Sequence, residues 1–173
     1  GLWSFGFWGI NIQTEPEKAY IFRAIGMVGV FAYLILVQLF ICRLSDSLHA
    51  YYGMISFVSV IGFVICFFII QKEQVTYQLS DIGMTYRFKS GFWNNAYTAY
   101  SVMIAFNMLV SILYMHFRAQ RKYMRVLSNK LLFAEGIVVF GMVFDTIFPL
   151  LGKPAIPGST YGQFIAMLVM YEA

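Results

Sequence analysis

Charge is scarce in this sequence. Of 173 residues only 12 are Lys or Arg and 8 are Asp or Glu, while 60% are hydrophobic. A soluble domain of this length needs a polar shell, so the shortage argues against one. The mean hydropathy of +0.71, with the charges gathered between long apolar runs, predicts a multi-pass membrane protein whose solvent is the lipid bilayer. Cysteine and histidine are nearly missing too. Cys42 and Cys66 fall in or beside different apolar runs and at different depths, which predicts free thiols rather than a disulfide or a metal pair. His49 and His116 belong to no HExxH pattern, no CxxC or phosphate-cradling glycine loop is present, and no nucleophile stands near a base. Catalysis, a metal and a cofactor are therefore not expected of this stretch. The net charge of +4 would suggest nucleic acid in a soluble protein, but basic residues on a membrane protein mark its cytoplasmic side, so nucleic acid is not expected either.

What remains is an all-α pattern, a polytopic transmembrane helix bundle. GLWSFGFWGI reads as the end of one helix, about residues 1–12, and five apolar spans follow at about 15–42, 48–70, 92–117, 128–151 and 159–173. LVMYEA stops short of a complete span, so both ends read as cut. TEPE, Thr14 to Glu17, has the form of a capping box with proline in the first turn. KPAIPGS is a Pro/Gly turn before the last helix, with Ser159 or Thr160 as its cap. Gly136 and Gly141, with Gly26 and Gly29, could admit close helix contact, although neither pair makes a small-xxx-small pattern. Between the second and third spans, Val75, Tyr77 and Leu79 alternate with polar residues, and so do Met84, Tyr86 and Phe88. Together they predict a short β-hairpin at about 74–89, lying over the membrane; an irregular loop with interfacial aromatics fits the same residues.

Orientation comes from FRAQRKYMRVLSNK, which carries Arg118, Arg121, Lys122, Arg125 and Lys130 without an acid and belongs in the cytoplasm by the positive-inside rule. TEPEK, the hairpin and GKPAIPGS then lie outside. Two acids nevertheless stand inside the fourth span, where a carboxylate costs about 2.5–3.5 kcal/mol at mid-helix. Glu135 is about 8 Å from the basic segment and can reach Arg125 or Lys130. Asp145 is deeper, beside the carbonyl that Pro149 leaves without its helical donor, and Arg23 is at matching depth from the same side. The two are expected to form an ion pair. Trp93, Asn95, Tyr97, Tyr161 and Gln163, with Gln71, are expected to join Arg23 and Asp145 around an outer-half pocket for a small ligand; interfacial belt residues around one structural pair are the competing reading. Gln38, Asn107 and His116 lie nearer the inner side, and His116 is expected to be solvated.

Three stretches, FKSGFWNNAYTAYSVMIAF, HFRAQRKYMRVLSNKLLFAEGIVVFGMVF and LLGKPAIPGSTYGQFIAML, resemble the N-terminal seven-helix sensor region of bacterial histidine kinases and some diguanylate cyclases. The resemblance lies in the aromatic entry Phe92-Trp93, the Arg-rich connection and the short outer turn. It makes the stub the end of helix two and the spans helices three to seven, and Asp145 departs from the uncharged polar residue often found there. It implies a multi-pass protein of the bacterial inner membrane, a cytoplasmic kinase or cyclase output domain beyond residue 173, and a homodimer. It transfers no catalytic residue. The expected function is a sensory input domain that detects an external small ligand or a membrane state and relays it through the last helix. The alternative is a small transporter or a substrate-binding membrane subunit.

Overall fold

The computed structural model describes residues 1–44, 48–80, 83–118, 122–150 and 158–171, with 48–52, 80, 142–150, 158–160, 163, 167, 170 and 171 described by backbone alone. Six α-helices and one two-stranded sheet make up the described chain. They are α1 (Leu2–Asn11), α2 (Pro16–Leu44), α3 (Leu48–Ile69), β1 (Val75–Ser80), β2 (Gly83–Phe88), α4 (Phe92–Arg118), α5 (Lys122–Leu150) and α6 (Gly158–Tyr171). Among the described residues, α2 and α4 are long and apolar enough to cross a membrane. The chain divides into two compact units, Gly1–Val37 with Tyr52–Met103, and Gln38–Tyr51 with Ile104–Ala173.

Three helix starts differ from the sequence reading. α6 begins at Gly158, so Ser159 and Thr160 stand in its first turn rather than at its cap. Pro16 is the first residue of α2, where its missing N–H costs nothing, so the cap position falls on Glu15 rather than Thr14. Glu17 is turned to Lys72, with which it forms an ion pair, and Lys18 bonds Glu15 at 3.2 Å. α5 begins at Lys122, six residues before the expected start, because the basic segment is built of good helix formers that extend the helix beyond its apolar part. Lys122, Arg125 and Lys130 thus stand on α5 and Arg118 ends α4, while Arg121 lies outside the described residues, as does the KPAIP part of the turn before α6.

In the first unit α1 lies on α2 along a glycine seam. A Cβ at Gly6 would fall 2.4 Å from Gly26 Cα, and one at Gly29 would fall 2.4 Å from Trp3 N, so the two backbones touch. The spacing on each helix is three residues (Gly6 with Gly9, Gly26 with Gly29), which is why a small-xxx-small search passes over it. Gly136 borders open space; in the second unit the close approach comes from Gly162 of α6, against the Ile137 carbonyl and Val138 Cα of α5. Cys42 and Cys66 are buried and form no disulfide among the described residues.

The hairpin is antiparallel, with Val75 opposite Phe88, Tyr77 opposite Tyr86 and Ser80 opposite Gly83. It packs onto the end of α1. Gly83 has φ +107°, and a Cβ there would meet the Asn11 carbonyl at 1.8 Å, so both backbone conformation and space call for glycine. Met84 is buried with Ile10 of α1 and Ala19 of α2, surrounded by Phe7, Phe22, Tyr77 and Tyr86. One end of the unit is thereby closed by a cap made from α1, the start of α2 and the hairpin.

Apolar side chains also cover the outside. On α3, Phe57, Val60, Phe63, Val64 and Phe67 form an exposed stripe; on α4, Val102, Phe106 and Val110 do the same, and each of the other helices exposes large hydrophobic residues.

Candidate functional site

Arg23 is the most fully buried charged side chain described, 1% exposed, about two turns into α2. An isolated cation there would be costly to desolvate. The end of α3 supplies the compensation. The last carbonyls of a helix have no intrahelical donor and carry the negative end of its dipole. Arg23 donates from Nη1 to the Ile69 carbonyl at 3.0 Å, and from Nη2 to those of Ile70 at 2.6 Å and Gln71 at 3.0 Å. Its Nε donates to the Tyr77 hydroxyl of β1 at 3.1 Å. The guanidinium carbon also lies 5.8 Å from the Tyr86 ring and 6.0 Å from that of Tyr20, within cation–π reach. One planar fork therefore joins α2, the end of α3 and both strands of the hairpin. Its described hydrogen bonds all go to neutral oxygens.

From this junction a run of rings leads into the helices. Tyr86 meets Phe88 edge-on at 5.4 Å, Phe88 meets Tyr97 at 5.7 Å, Tyr97 meets Phe31 at 5.8 Å, and Phe31 stacks on Tyr100 at 5.6 Å. Tyr100 ends the run with its hydroxyl buried, without a hydrogen-bond partner among the described residues, against Gly62 of α3: a Cβ on Gly62 would lie 2.3 Å from it. The run passes from β2 to α4, to α2 and back to α4, where its last ring touches α3.

Of the residues expected in an outer pocket, Arg23 and Tyr97 belong to this network. Trp93 stands on the same helix as Tyr97 but stacks on Phe68 of α3, with ring centroids 4.0 Å apart and planes within 8°. Asn95 is exposed to solvent, and so is Tyr161, which belongs to the second unit. The side chains of Asp145 and Gln163 lie outside the described residues, so the Arg23–Asp145 pair is not among the contacts described. Gln71 takes part through its backbone carbonyl, while its amide bonds the Phe67 carbonyl at 3.0 Å. His116 is not simply solvated: its Nδ1 is 3.1 Å from the hydroxyl of buried Ser128. Since that hydroxyl donates to the Arg125 carbonyl, its oxygen is left to accept from Nδ1–H.

The chain finds no match among protein families, curated proteins or solved structures.

Tyr20, Tyr77 and Tyr86 were not singled out around Arg23 by the sequence. The usable signal was an arginine inside an otherwise apolar helix opposite a hairpin whose tyrosines pair across the strands. Burial holds the Tyr77 phenol above the ordinary tyrosine value near 10, with the nearby Arg23 charge and its hydrogen bond acting in the opposite sense. A raised folded-state value means that the contribution is complete below about pH 10 and is lost as pH rises further. Thermal midpoints recorded from pH 8 to 11 should accordingly fall above pH 10, and Tyr77→Phe should fall less steeply than the parent. Identical slopes would place the alkaline loss elsewhere.

Proposed function

We propose that this chain is a multi-pass membrane domain, a bundle whose helices lie in lipid, that serves as the sensory input region of a bacterial signal-transduction protein. The large hydrophobic side chains exposed on every helix support the membrane part, because in water such continuous stripes would be unpartnered, whereas lipid tails solvate them. The observation that carries the sensory part is the Arg23 junction. A ligand or membrane deformation that lifts the hairpin must pull on Tyr77 and Tyr86, hence on Arg23, and hence on α2 and the end of α3 together. Such a stimulus shifts the arrangement only as far as it binds one state better than the other. The ring run from Tyr86 to Tyr100 supplies a packed route toward the helix interiors; its support is spatial continuity. A cytoplasmic kinase or cyclase, joined to the last helix and working as a dimer in the inner membrane, would receive the movement.

Intact mass and peptide sequencing of the native polypeptide test this first. The reading expects a soluble output domain after Ala173 whose activity changes several-fold in Arg23→Lys. Native chains that stop a few residues later, or output unaffected by the substitution, would sink it.

A transporter is the second reading. Gln38 favours it, being 2% exposed with an Nε2 that lacks a partner among the described residues, as a group on a polar track would. It requires solute flux in proteoliposomes, which the sensory reading does not.

A further inference from the structure

Seven of the twelve basic residues and none of the eight acids lie between residues 82 and 134, and the densest part of that window is the junction of α4 with α5. Arg118, the last residue of α4, is exposed, with its guanidinium carbon 5.1 Å over the Tyr114 ring. Lys122 and Arg125 are exposed on α5, three residues apart and so on one face. The hydrogen bond between His116 and Ser128 ties the two helices beside these cations: Arg118 is two residues past His116, and Arg125 three before Ser128. At 1.5 Å per residue both stand within about 5 Å of the tie along their helices. Next to the cations are two strongly exposed aromatics, Phe117 at 80% and Tyr123 at 66%.

We propose that Arg118, Lys122 and Arg125, fixed by the His116–Ser128 bond and flanked by Phe117 and Tyr123, form a binding site for the phosphate headgroup of an anionic phospholipid. The chemistry is complementary at both ends of the ligand. Three cations without a neighbouring acid in sequence attract the phosphate, and two rings at the end of an apolar helix suit the boundary between headgroup and acyl chain. The Arg118 guanidinium, steadied over Tyr114, offers the planar fork that phosphate oxygens accept in pairs. A soluble acidic partner would use the charges but would leave the exposed rings without a role.

The test is native mass spectrometry of the whole protein in a zwitterionic detergent, titrated with phosphatidylglycerol or phosphatidylcholine. The parent should retain phosphatidylglycerol at least tenfold more tightly. Each headgroup-facing charge is worth about fivefold, so R118Q/K122Q/R125Q should lose about a hundredfold and with it the preference. R118K/K122R/R125K, which keeps the charges, should retain most of it, which separates binding from folding. Equal retention of the two lipids by the parent, or an unchanged preference in the glutamine variant, overturns the site. So does displacement of the lipid by millimolar inorganic phosphate, which would make this a site for free phosphate.

Discussion

Arg23→Met is expected to lower stability by about 3 kcal/mol or more, the sum of leaving the Ile69, Ile70 and Gln71 carbonyls without the charged donor that now serves them. The sign is not obvious, since removing a buried charge also removes its desolvation cost, and replacing both sides of a buried ionic contact by apolar groups is often neutral. Here only one side can be replaced. The acceptors are backbone atoms at a helix end, and they stay whatever the side chains are. For a chain of this length the thermal midpoint should fall by about 6–12 °C. Arg23→Lys should recover only part of the loss, because an ammonium is a point charge and cannot span three carbonyls and the Tyr77 hydroxyl with one planar fork. Arg23→Ala offers a sharper check: it empties the place of a guanidinium while keeping its acceptors and the Tyr20 and Tyr86 rings, so millimolar methylguanidinium should raise the midpoint of this variant and leave the parent unchanged. A parent-like midpoint in Arg23→Ala would show that the junction contributes little.

The second large effect lies in the glycine seam, and it is asymmetric. Gly6→Ala should destabilise by about 2 kcal/mol or more, because its methyl would stand 2.4 Å from the Cα and N of Gly26 and 2.7 Å from the Phe22 carbonyl, backbone atoms that cannot rotate aside. The two helices would have to separate, loosening Trp3 and the cap together. Gly26→Ala faces the same seam from the other helix, yet its methyl comes no nearer than 3.4 Å to Gly6 Cα, an ordinary contact. It should be neutral or gain up to about 1 kcal/mol from helix propensity. Gly136→Ala, with nothing within 4 Å, supplies the propensity gain alone as a control. Thermal midpoints of the three variants in one detergent decide the matter. If Gly6→Ala and Gly26→Ala fall together, the seam is not packed as described.

Much of the architecture was legible because it is written in local periodicity. Long apolar runs gave the helices to within a few residues, and alternation on either side of Asp81-Ile82 gave the hairpin, since each signal depends only on neighbouring residues. The early start of α5 was misread because a search for apolar content stops where the charges begin, while the helix does not. At the candidate site the sequence singled out Arg23 inside its apolar helix and named as its partner Asp145, whose side chain lies outside the described residues.

The sequence by itself determined that this chain is helical, strongly apolar and basic along one connection, because composition and spacing are properties of the chain alone. Only the tertiary structure decided what Arg23 touches and which glycines meet. Its acceptors are carbonyls that every residue carries, made available by the ending of α3 and brought near by the packing of α2 and the hairpin. Gly6 and Gly26 have no side chain to announce a partner, and what distinguishes them from Gly136 is the distance of another backbone, which no one-dimensional pattern contains.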